Sequence, residues 1–296
     1  MPIEATVSLS DGAQIILRRH GNPDGPRLLL SHGNGLAIGA YQPFWQLLAD
    51  DFDLVLFDMR SHGVNPTHTL EAHTWARFTL DMGEILAATF AEFGEKSTVG
   101  VFHSLSAVAS VAHALDGDSD YAGLVLFDPP LMPPPTHPAH VIAVADVDEL
   151  AGRTLRRQTA YADPSELAEQ FLTRPFFSRW VDGAAELFAR HTLKRDADTS
   201  QWVLSCPREY EAQVFSSNRN PRLWEALCGD FAMPFTIVGA DPKLPEQTAP
   251  GLICAALAEE TDISYTVIPE TTHFLQVEQP RACALAVERF VASLTR

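Results

Sequence analysis

Residues 98–111, TVGVFHSLSAVASV, decide how the chain folds. A β-branched run (Thr98, Val99, Val101, then Phe102) meets His103-Ser104-Leu105-Ser106 and passes into an alanine-rich stretch of helical character. A serine on such a tight strand-to-helix turn has its hydroxyl held proud of the sheet, beside the unbonded N–H groups that open a helix. Ser104 is therefore a candidate nucleophile. The competing reading is an ordinary buried turn, because the small–x–Ser–x–small pattern is imperfect: Ser106 and Ala107 are small, but Phe102 stands where glycine is usual. Phe102 is expected to crowd the turn.

The flanking sequence supplies the context. RLLLS (27–31), DLVLF (53–57) and GLVLF (123–127) are short continuous apolar runs, the mark of strands buried on both faces of a parallel sheet. FTIV (235–238) and ISYTVI (263–268) continue the series, and residues 5–19 read as a hairpin turning at Asp11-Gly12. Helical periodicity fills the gaps: 41–49, 70–93 ending at Gly94, 247–259 and 281–294. The alternation predicts an α/β fold with a mostly parallel sheet covered on both faces. It breaks at MPPPTHP (132–138), which can be neither helix nor central strand. From about 144 to 229 the pattern is helical and rich in arginine and aromatics, with no convincing strand. Residues 1–131 and 231–296 are thus expected to form the core, and 132–230 a helical cap above the strand ends.

With 296 residues, 46% hydrophobic and 20% charged, the chain has the composition of a globular protein. A net charge of −17 argues against nucleic acid or an anionic membrane as partner. The cysteines (206, 228, 254, 283) are scattered, without metal-ligand spacing, which suits reduced thiols in a cytoplasm. The start, MPIEATVSLSDG, has neither a basic segment nor an apolar run, so no signal peptide is expected.

Ligands of open parallel sheets bind at the strands' carboxyl ends. There lie His32–Asn34, Asp58, Ser104, Asp128, Asp241 and His273. A nucleophilic serine needs a base, and the base an acid that fixes its tautomer. The order Ser104…Asp241…His273 supplies all three.

On these residues the sequence resembles the α/β-hydrolase family across nearly its full length. LLLSHGNG (28–35) is similar to the family's oxyanion loop and FHSLSA (102–107) to its nucleophile turn. FDMRSHG (57–63) resembles the loop after the next strand, VGADPKLP (238–245) the acid loop and ETTHFLQVEQP (270–280) the histidine loop. The resemblance implies Ser104 as nucleophile, His273 as general base and Asp241 as acid, with Asp128 the rival acid because some members carry it after that strand. It implies an oxyanion hole from the backbone N–H groups of Asn34 and Leu105. Serine rather than aspartate at the nucleophile position speaks against dehalogenase and epoxide hydrolase chemistry.

Gly33, His103, Phe176 and Trp180 are expected to border the substrate, His103 also packing beside the nucleophile. Asp58 and Arg60 are read as a local ion pair, and Cys206 as a small buried residue. Arg153, Arg156 and Arg157 share a helical face that could grip a carboxylate or phosphate, against the preferred reading of a solvated face. The expectation is a cytoplasmic serine hydrolase of small-to-medium carboxylic esters, without metal or cofactor, its partner a small-molecule substrate and a homodimer left open. Alternatives on the same triad are a lactonase, a carbon–carbon bond hydrolase or a cofactor-free perhydrolase. A non-catalytic ligand-binding protein of the same fold is a further alternative.

Overall fold

The computed structural model describes residues 3–117, 119–229 and 231–295. The strands β1 (Ile3–Ser8), β2 (Gln14–Gly21), β3 (Arg27–Leu30) and β4 (Asp53–Phe57) are followed by β5 (Thr98–His103) and β6 (Tyr121–Phe127). Together with β10 (Phe235–Gly239) and β11 (Tyr265–Val267) they form one eight-stranded sheet in the order β1-β2-β4-β3-β5-β6-β10-β11. β1, β2 and β4 pair antiparallel, and every pair from β4 to the far edge is parallel.

The central strands are apolar throughout because alternate residues serve two cores. Leu29, Val55, Phe57, Leu124 and Leu126 enter one. Leu28, Leu30, Leu54, Leu56, Val125 and Phe127 enter the other. The helix α1 (Gln42–Trp45) is short and flanked by single 3₁₀ turns, where the apolar pattern of 41–49 had predicted one helix. Next, α2 (Trp75–Phe93) begins at Thr74, whose hydroxyl accepts the Arg77 N–H at 3.3 Å, later than the predicted residue 70. It stops at Gly94, which takes a φ of 84°. Between β5 and β6 lies α3 (Leu105–Asp116).

Among the described residues none between β6 and β10 joins the large sheet. This insert holds α4 (His140–Leu155), β7 (Ala160–Tyr161), α5 (Pro164–Leu172), α6 (Ala184–Thr192), β8 (Leu193–Arg195), β9 (Trp202–Leu204), α7 (Arg208–Ser217) and α8 (Arg222–Cys228). Strands were not expected here. The three that form are two or three residues long, too short to show a period of two, and pair only with one another. Tyr161, Leu167, Ala185, Ala189 and Leu204 give the insert a small core of its own. Its aromatic residues seat it on the rest of the molecule: Trp180, itself 4.2 Å from Phe188 within the insert, packs 5.1 Å from Phe274, and Phe177 packs 5.7 Å from the same ring, centroid to centroid.

The chain returns through β10 (Phe235–Gly239), α9 (Ala249–Glu260) and β11 (Tyr265–Val267), and ends in α10 (Leu275–Glu278) and α11 (Pro280–Leu294).

Candidate active site

β5 runs straight into α3 through Ser104, which adopts φ 53° and ψ −113°. A non-glycine residue in that region is strained, and such strain persists only where the surroundings over-determine it. Here they do. The Ser104 N–H donates to the Phe127 carbonyl at 3.0 Å. His103 N–H donates to the Ser106 hydroxyl at 3.1 Å, and that hydroxyl is 3.0 Å from the His103 carbonyl. The expected crowding by Phe102 does not occur. Its ring points to the sheet face that Gly100 shares, where a Cβ on Gly100 would lie 2.3 Å from it, and it packs edge-on against Phe57 and Tyr121. Residues two apart on a strand face the same way, so the missing side chain at 100 makes room for the ring at 102.

His273 follows β11, and its Nδ1 donates to Asp128 Oδ2 at 2.7 Å. Asp128 ends β6, is fully buried with φ 43°, and accepts the Ala240 N–H on its other oxygen at 3.1 Å. Asp241, the favoured acid, is not there. Its oxygens accept the backbone N–H groups of Lys243 (2.9 Å) and Glu270 (3.0 Å), which hold its pKa below the usual carboxylate value. Asp241 caps a turn, and Asp128 is the imidazole's partner.

The residues 31–36 lie against this pair of strand ends. A Cβ on Gly33 would stand 3.0 Å from His103 Nδ1 and 3.1 Å from Ser104 Cβ, so only glycine lets the loop approach this closely. Among the described residues neither the Asn34 nor the Leu105 backbone N–H has a protein acceptor. His103 ties the loops together. Its Nε2 faces the His273 carbonyl at 2.9 Å, and a carbonyl only accepts, so Nε2 carries the proton. Nδ1 is then an acceptor for the Tyr41 hydroxyl at 2.7 Å, and Tyr41 Oη accepts the Gly33 N–H at 3.4 Å. Burial, reinforced by His273, pushes the His103 pKa well down and keeps the ring neutral.

Asn34 Nδ2 donates to the Glu211 carbonyl at 2.9 Å, joining the loop to α7 of the insert. The Glu211 carboxylate lies over Gly35 (φ 71°), where a Cβ would come within 2.3 Å of it, and pairs with Arg157. Burial raises the Glu211 pKa, and the Arg157 charge opposes that rise.

A cavity of about 580 Å³ opens between core and insert, with Asn34, Ser104, Leu105 and His273 on its floor and Phe171, Phe176, Phe177 and Phe188 on its walls. Of the expected substrate contacts, Phe176 lines it, whereas Gly33, His103 and Trp180 do not. Gly33 and His103 stand behind the floor, and Trp180 is spent on packing the insert. Among the described residues the Ser104 hydroxyl donates to no protein acceptor, and Ser104 lines the cavity together with His273.

Asp58 and Arg60 do not pair. Asp58 binds Arg18 at 3.0 Å, while Arg60 reaches Asp81 at 2.5 Å and Asp11 at 2.8 Å. Buried His62, His73 and Cys206 place ligand atoms within 4.8 Å of one another. Both His62 ring nitrogens are engaged, by the Arg60 carbonyl and the Gly35 N–H, so the group has no free His62 lone pair for an ion. Among the described residues no helix is long and apolar enough to cross a membrane.

The model of the alpha/beta hydrolase family matches residues 28–287. A 65-residue stretch is 43% identical to the pimeloyl-[acyl-carrier protein] methyl ester esterase of Stenotrophomonas maltophilia, covering 22% of this chain and 24% of that protein. Among solved structures the chain is similar to E-2-(acetamidomethylene)succinate hydrolase, with a TM-score of 0.78 and 19% identity over 99% of this chain and 100% of that one. It is also similar to the thioesterase domain of a curacin biosynthetic pathway (TM-score 0.71, 18% identity, 97% and 99% covered). An alpha/beta hydrolase from Novosphingobium aromaticivorans gives a TM-score of 0.73 at 15% identity, with 98% of each chain covered. At these identities the likeness to the solved structures is one of fold.

Proposed function

Because the chain belongs to the alpha/beta hydrolase family, we propose that it cleaves a small-to-medium carboxylic ester through Ser104, His273 and Asp128. The observation that carries this reading is the 2.7 Å bond from His273 Nδ1 to buried Asp128, on an imidazole that shares one cavity with strained Ser104. The short stretch similar to a methyl ester esterase supports ester cleavage in particular.

With Nδ1–H given to Asp128, the His273 Nε2 lone pair is free to take the Ser104 proton as Oγ attacks the substrate carbonyl. Asp128 stabilises the imidazolium that forms. The carbonyl oxygen becomes an anion and is received by the N–H groups of Asn34 and Leu105, which have no other acceptor among the described residues. Each such donor is worth on the order of 10²–10³ in kcat. The imidazolium protonates the leaving alcohol, and water, activated by the same base, releases the acid from Ser104. The phenylalanine-lined cavity under the insert, acting as a cap, excludes bulk water during these steps.

The test is rapid mixing with p-nitrophenyl butyrate, followed by peptide mass spectrometry. A burst of p-nitrophenol with a butyryl group on the Ser104 peptide is expected. Ser104→Ala should lose roughly 10³-fold or more in kcat/KM. Hydrolysis that survives Ser104→Ala contradicts the reading. Binding of ester without any turnover would instead favour a ligand-binding protein.

A further inference from the structure

Arg153, Arg156, Arg157 and Arg174 all line the cavity that contains Ser104 and His273, in a chain whose net charge is −17. The same wall carries the carboxylates of Asp146 and Glu211. Arg157 pairs with Glu211 through both terminal nitrogens in a mostly buried contact. The rest of the cationic charge has no such partner. Arg156 and Arg174 form no ion pair among the described residues, and Arg153 has one contact of 3.6 Å with Glu149, both side chains more than half exposed. An exposed pair of that kind contributes little. Arg174, just beyond α5, was not part of the arginine face visible in the sequence; the fold brings it to the same cavity from a separate helix.

The arrangement has a direction. Asp146, Leu150, Arg153 and Arg157 follow i, i+4, i+7, i+11 spacing, and all four line the cavity, so one stripe of α4 and its C-terminal extension runs along it. Burial raises the Asp146 pKa, and the nearby His273, when protonated, and Arg153 oppose that rise. At 1.5 Å of rise per residue, Arg153 lies roughly 10 Å farther along the helix than Asp146. Along α4 the cavity lining therefore passes from Asp146 through Leu150 to Arg153, where positive charge without a close buried partner begins. In a strongly acidic molecule such a cluster focuses the field for an anion.

We propose that the ester taken by this cavity carries an anionic group, a carboxylate or a phosphate, at the end remote from the scissile bond, received by Arg153, Arg156 and Arg174. Guanidinium forks suit both anions. The position of the scissile bond rests on the function proposed above, whereas binding of the anion does not.

The first experiment therefore uses probes without an ester. Adipic acid monoamide, n-hexyl phosphate and neutral hexanamide are titrated calorimetrically into the full chain at low salt and at 0.5 M salt. At least one anion is expected to bind about tenfold or more tightly than hexanamide at low salt, with the advantage reduced at high salt. The anion with the larger advantage identifies the source. In the Arg156→Gln, Arg174→Gln double variant, both sites being exposed, the advantage should fall to about twofold or less. Equal or undetectable binding of all three probes by the wild type overturns the proposal, as does an advantage that survives both substitutions. The second experiment compares kcat/KM for mono-p-nitrophenyl adipate with that for p-nitrophenyl hexanoate, each corrected for spontaneous hydrolysis. The anionic ester is expected to be favoured about tenfold, and a ratio near one with competent turnover overturns the proposal. Failure to hydrolyse either ester contradicts the triad chemistry and leaves the calorimetry to decide the anion site.

Discussion

Asp128 and Asp241 follow neighbouring parallel strands, and the geometry of a few atoms separates their roles. Asp128 comes directly off β6, with a positive φ that turns its carboxylate toward the last strand's loop, where Ala240 N–H and His273 Nδ1 meet it. Asp241 stands two residues beyond β10, far enough out to bend over the turn at Glu270 instead. An amide at 128 that keeps its oxygen on the Ala240 N–H turns its NH₂ to Nδ1 and forces the proton onto Nε2; the reverse orientation keeps the tautomer but sets NH₂ against the Ala240 N–H and loses the charge that stabilises the imidazolium. Asp128→Asn is therefore expected to lower kcat by roughly 10³–10⁴-fold with the fold intact. Asp241→Asn should cost about 1–2 kcal/mol of stability, through two weakened backbone caps, and less than about tenfold in kcat. Steady-state kinetics beside denaturant unfolding distinguishes the two, and the reverse ranking of kcat would return the acid's role to Asp241.

Much of the element order could be read in the sequence, because buried strands and amphipathic helices carry their periods in contiguous residues. RLLLS, DLVLF and GLVLF are β3, β4 and β6 within a residue or two, and Ser104 follows β5 as its turn requires. Pairings made across long separations were not legible. The Glu211–Arg157 pair joins residues 54 apart, and the contact of Glu211 with Asn34 joins residues 177 apart. The choice between Asp241 and Asp128 as the imidazole's partner was not legible for the same reason, since two aspartates at two strand ends look alike until the backbone turns are known. Gly100 was the overlooked signal for Phe102. The buried pair also makes α4, α7 and the 31–36 loop depend on one another. Removing one partner of such a pair leaves an uncompensated charge, at a cost of about 3–5 kcal/mol. Arg157→Met should destabilise by about that amount in urea unfolding, and adding Glu211→Gln should restore more than half of it. Additive losses in the double variant would mean that the two side chains act independently.

For the whole molecule, stability depends on histidines kept neutral in the interior. Burial lowers the pKa of His62 and His103 well below 6.5, and that of His73 to about 3. In each case the folded pKa lies below the unfolded one, so the unfolded chain binds protons that the native state refuses, and stability rises with pH in that interval. The stabilisation is complete above pH 6.5 and is lost as the pH falls below it, by up to about 1.4 kcal/mol per pH unit for each such histidine. Urea unfolding at pH 7 and pH 5 should show the loss, and His73→Phe should reduce the slope by about one histidine's share. A wild-type stability flat across this range would contradict the buried-neutral assignment. The chemistry itself is tested most directly by the rate at which a fluorophosphonate labels Ser104, followed by peptide mass spectrometry in the wild type, His273→Ala, Asp128→Asn and Asp241→Asn. Rapid stoichiometric labelling is expected in the wild type and nearly as fast in Asp241→Asn, with labelling slowed by orders of magnitude in His273→Ala and Asp128→Asn. Labelling indifferent to His273, or absent from the intact protein, would contradict a base-activated serine at this site.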